Sequence, residues 1–61
     1  MENEVMKELY RRLRTVKTMR ELYMIGTCIN EAEWENKISE EQANQLRNAW
    51  HNAKILRVPG M

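Results

Sequence analysis

The chain has no phenylalanine and no aspartate, and only one cysteine, one histidine, one proline and two glycines in 61 residues. Each scarcity excludes something. A single cysteine, Cys28, rules out an intrachain disulfide and fits a reducing compartment. Cys28 and His51 alone cannot make a zinc site. Without aspartate, most magnesium sites and carboxylate triads fall away. Gly26 and Gly60 are too few and too far apart for a glycine-rich phosphate loop. So little glycine and proline leaves little turn chemistry for a β fold. No apolar run suits a membrane span, and no basic-then-apolar leader opens the chain, so the expected location is cytoplasmic.

What is present is 43% hydrophobic and 31% charged residues, too apolar for disorder. One domain over 1–61 is expected. Domains of this size bury only about 60% of the surface their unfolded chain exposes, and oligomerisation is a common remedy. The net charge of +1 conceals segregation. Residues 7–20 hold Lys7, Arg11, Arg12, Arg14, Lys17 and Arg20 against Glu8 alone, whereas 30–42 hold five glutamates against Lys37. That asymmetry suits attraction between copies, or a basic face for an anion.

Two helix starts are legible. Thr18-Met19-Arg20-Glu21 and Ser39-Glu40-Glu41-Gln42 both have the capping-box form, and Ile38 can staple onto Ala43. The pattern predicts an all-α chain with helices at about 2–14, 19–36 and 40–57 and a non-helical tail at 58–61, where Pro59 stops the helix. Thr15 to Thr18 is a weak break, so helices one and two either part there or continue with a kink. The short Asn36-Lys37-Ile38 connection makes helices two and three an antiparallel hairpin.

The helix faces carry the functional expectations. In helix one, Val5, Met6, Leu9, Leu13 and Val16 form the inner arc, with Tyr10 at its edge beside the row Lys7, Arg11, Arg14. A tyrosine next to an arginine row suits a phosphate-bearing aromatic ligand, since the ring stacks while guanidinium groups fork onto phosphate. Helix two has two apolar sides. Leu22, Ile25, Ile29 and Ala32 make one, and Tyr23, Thr27 and Trp34 the other, with Gly26 marking a close approach. Tyr23, Gly26, Thr27 and Trp34 are therefore the expected interface of a homodimer or higher oligomer. Helix three places Ala43, Leu46, Ala49, Trp50, Ala53 and Leu56 inward, with Arg47 and His51 on its outer face and Ile55 out of phase.

No catalytic set emerges. Cys28 and His51 are the one conceivable nucleophile pair, and Cys28 lies on the flank of an apolar face, where inert thiols are common. A helix-turn-helix reading fails to find its turn, since Leu46 to Leu56 continues the helical period. A short chain dense in Met, Trp and Arg with no catalytic set resembles the accessory proteins of phages and mobile elements. That resemblance implies a non-enzymatic binder in the host cytoplasm, needing no cofactor or metal, of the kind that sequesters a signalling nucleotide to counter host defence. The expected phosphate contacts are Arg11, Arg14 and Arg47, and the expected stacking rings Tyr10, Tyr23 or Trp34, with His51 nearby. A protein–protein inhibitor or adaptor using Tyr23 and Trp34 is the alternative, and a small DNA-binding regulator a weaker one.

Overall fold

The computed structural model describes residues 3–57; the expected helix start at residue 2 and the tail at 58–61 lie outside them. Three helices follow in order: α1 (Glu4–Thr15), α2 (Met19–Trp34) and α3 (Glu40–Arg57), each packed on both others. The fold is all-α, a three-helix bundle. None of the three helices is long and apolar enough to cross a membrane.

Local chemistry sets each boundary. Asn3 caps α1: its Oδ1 accepts from the Val5 and Met6 N–H groups at 2.8 and 3.3 Å, satisfying two of the free donors at a helix start. Its Nδ2 donates to the Lys37 carbonyl at 2.8 Å, which ties the start of α1 to the loop between α2 and α3. At the other end Val16 turns extended (ψ 139°) and is buried, so α1 and α2 are separate helices rather than one kinked rod. Thr18 starts α2 by accepting from the Glu21 N–H at 3.1 Å. The reciprocal half of that box differs from expectation: the Thr18 hydroxyl, not its backbone N–H, meets the Glu21 carboxylate, at 3.3 Å. Ser39 makes the full box. Gln42 N–H donates to Ser39 Oγ at 3.1 Å, and Ser39 N–H to Gln42 Oε1 at 2.9 Å. Ile38 and Ala43 are both buried beside it.

Helix two stops at Trp34, two residues before the expected 36. Asn36 adopts φ 61°, the left-handed geometry that asparagine tolerates better than most residues. The Asn36 N–H then returns to Glu33 O and the Lys37 N–H to Ala32 O, closing the end of α2 as a Schellman motif. The hairpin is antiparallel as expected: Trp50, in the second half of α3, bonds Leu22 near the start of α2, while Arg47, earlier in α3, reaches Asn30 and Glu33 farther along α2.

Leu9, Leu13 and Val16 meet Leu22, Ile25, Ile29 and Ala32 across Ala43, Leu46 and Ala53, with Leu22, Ile29 and Leu46 almost fully enclosed. Val5, Met6, Tyr10, Ala49 and Trp50 pack on this core from its edge. One assignment needs correction. Leu56, expected on the inner arc of α3, is 76% exposed, because it stands beyond Ala53, the last buried residue of α3. Ile55 is exposed as well.

Candidate binding groove

The residues of the basic row share one side of α1 because positions three, four and seven apart recur on a single helix face. Lys7, Tyr10, Arg11 and Arg14 border an open groove of about 620 Å³, with Met6 as apolar wall and Gln42 of α3 as the opposite rim. Tyr10 is half-buried and packs against the core. Arg12 points elsewhere. It borders a second groove, of about 400 Å³, between α1 and α2, together with Val5, Leu9, Cys28, Ala32 and several glutamates.

The groove is not purely basic. Glu4 and Glu8 also line it, and one Arg11 nitrogen, Nη2, donates to both carboxylate oxygens of Glu8. That hydrogen-bonded pairing holds the Glu8 carboxyl below its ordinary range and raises Arg11 further. Arg12 adds a weaker pull on Glu8, at 3.9 Å. Arg14 has no ion pair among the described residues, so it is the guanidinium of the row with its donors turned to solvent.

The remaining expected ligand residues lie across the molecule. Arg47 sits on the flank of α3 that faces α2, and its guanidinium is engaged by Glu33, Asn30 and Asn44. It works as a clamp between α2 and α3 and does not reach the groove beside Tyr10. His51 lies edge-on to Trp50, with ring centroids 5.3 Å apart. Tyr23 also packs on Trp50, tilted by 40° with centroids 6.2 Å apart, and the Lys54 ammonium sits 5.9 Å from the Trp50 ring centre. Trp34 stands alone at the end of α2, 87% exposed. The structure thus brings Tyr10, Arg11 and Arg14 together and separates them from Tyr23, Trp34, Arg47 and His51.

Gly26 has an intrachain reason. A Cβ there would lie 3.1 Å from Trp50 Nε1, which donates to the Leu22 carbonyl at 2.6 Å. The close approach marked by this glycine is made by a tryptophan of the same chain. Asn3, Glu4, Glu8 and Gln42 are groove residues that sequence reasoning missed, and of these Gln42 alone comes from α3. Its role in the Ser39 capping box was legible, but its position opposite α1 follows only from helix packing. Cys28 faces α1 whereas His51 flanks Trp50, so the two are not arranged as a nucleophile and its base. Among the described residues no cluster of His, Cys, Asp or Glu could hold a metal ion.

No family model matches the chain, and neither a curated protein nor a solved structure shows significant similarity to it.

Proposed function

We propose that the protein binds a phosphate-bearing nucleotide in the groove between α1 and α3 and sequesters it without chemical change, as an oligomer. A counter-defence sponge of a phage or mobile element would act this way, and a cyclic signalling nucleotide is the best single candidate. The observation that carries the reading is the convergence of Lys7, Tyr10, Arg11 and Arg14 on one groove. Its volume lies in the usual range for small-molecule sites, about 300–1,000 Å³. Tyr10 offers a half-buried ring that packs against the core. Arg14 offers an unengaged fork for phosphate, and Gln42 a neutral donor and acceptor for a base edge.

A thermal-shift screen against mono-, di- and cyclic nucleotides tests this directly. A ligand at a hundred times its dissociation constant adds about 2.7 kcal/mol to stability. Arg14→Gln should cost about 1.5–3 kcal/mol of binding while the fold stays intact. Arg11→Gln should cost less, because Glu8 already engages its Nη2 and offsets its charge, and Arg12→Gln should cost nothing. If Arg12 matters most, or if no nucleotide binds even at low salt, the groove is not a nucleotide site.

A second reading is an inhibitor or adaptor that docks on a protein through the outer face of α2. The exposure of Tyr23, Met24 and Trp34 favours it, since tyrosine, tryptophan and methionine are enriched in interfaces. A negative nucleotide screen would bring that reading forward.

A further inference from the structure

The outer face of α2 has an internal order that exposure alone does not describe. Opposite the buried row Leu22, Ile25, Ile29 and Ala32 run Arg20, Tyr23, Thr27, Glu31 and Trp34, all exposed. At 100° and 1.5 Å per residue, Arg20 and Glu31 share one flank of this face, three turns apart. Tyr23 and Trp34, also eleven residues apart, share the other flank. Thr27 lies midway between them. Its hydroxyl donates to the Tyr23 carbonyl at 3.1 Å, so it is satisfied within the helix.

We infer that this face pairs with the same face of a second copy, antiparallel, about a two-fold axis at Thr27; the inference rests on the self-association proposed above. In that register Arg20 stands level with Trp34 of the second copy and one turn from its Glu31. Arg20 and Glu31 of the second copy then share a flank, so opposite charges attract across the pair. On the other flank Tyr23 lies within a turn of Trp34 of the second copy. Helical side chains lean toward their own N-terminus, so in antiparallel helices these two rings converge. A parallel pairing would set Arg20 beside Arg20 and Glu31 beside Glu31, and like charges repel. The charge order therefore selects a second copy in one direction. A single helix face makes a small interface, so the pairing belongs to the weak class.

Sedimentation across a micromolar series, with circular dichroism to verify folding, tests it. Arg20 and Glu31 are exposed, so reversing either charge leaves the core untouched. Arg20→Glu and Glu31→Arg should each weaken the dimer by about tenfold or more, and the double reversal should return it to within about threefold of the parent. Oxidative cross-linking checks the axis in a Cys28→Ala background. Thr27→Cys should link to itself. Arg20→Cys and Trp34→Cys should not, because each sits about 10 Å from the axis. Self-linking at all three positions would mean a parallel pair and overturn the inference. A dimer indifferent to both reversals uses another face, which overturns this register and leaves self-association standing. A monomer throughout overturns both and leaves the face to a different protein.

Discussion

Gly26 and Trp50 show how one residue's identity is set by another on a different helix. The indole nitrogen lies 3.1 Å from where a Cβ would stand, and its N–H is spent on the Leu22 carbonyl. Gly26→Ala restores about 1 kcal/mol of helix propensity. It also presses on an indole whose hydrogen bond is short enough for a retreat of a few tenths of an ångström. The net effect on melting should be neutral or slightly favourable. Gly26→Leu fills the seat and should destabilise by about 1–3 kcal/mol through overpacking. In a Trp34→Phe background, where Trp50 is the remaining tryptophan, its emission should shift as the ring leaves α2. Unchanged melting and emission on Gly26→Leu would show that the seat is dispensable. The sequence pointed to a close approach at Gly26 but placed it between copies, since Trp50 stands 24 positions away and meets it only through the hairpin.

At the scale of the element, capping decides where each helix begins. Asn3 serves two elements, holding the first N–H groups of α1 and the carbonyl of Lys37. Asn3→Ala should cost about 1–2 kcal/mol, and each kcal/mol lowers the melting temperature of a domain this small by about 4–8 °C. Asn3→Asp keeps the cap and loses the amide donor, so it should cost less, and the difference measures the tie to the loop. Equal melting for parent and Asn3→Ala would mean that the position caps nothing. The starts at Thr18 and Ser39 were legible because a capping box is written in adjacent residues. The end of α2 was less so. Asn36 terminates it through a positive φ that asparagine tolerates but does not require, and Lys37 contributes only its backbone. Leu56 misled for a related reason: periodicity assigns a residue to a face but does not say where the neighbouring helices end.

Across the whole molecule, segregated charge matters more than net charge. The basic row of α1 was legible from spacing alone, and the structure keeps Tyr10, Arg11 and Arg14 on one groove. Its inhibition by Glu8 was not, because a glutamate three residues before an arginine reads first as a helix-stabilising pair. In the proposed site the same pair would compete with an anionic ligand for Arg11. Glu8 has a carboxyl held below its ordinary value, so its pairing with Arg11 contributes stability above the unfolded carboxylate pKa and loses it as pH falls through the lowered folded one. Both groups are exposed, so this contribution to folding is small. Ligand binding is the better readout. Glu8→Gln should release Arg11 and raise affinity for a uridine phosphodiester, whose phosphate and base both keep their charge as pH falls through the glutamate range. In the parent chain the same gain should emerge only as pH drops below the usual glutamate range, and the Glu8→Gln curve should lack that rise. Salt should weaken both, since exposed charges are screened beyond about 8–10 Å at near-physiological ionic strength. A parent and variant that bind equally at every pH would show that Arg11 takes no part, and would leave Arg14 as the sole guanidinium of the groove.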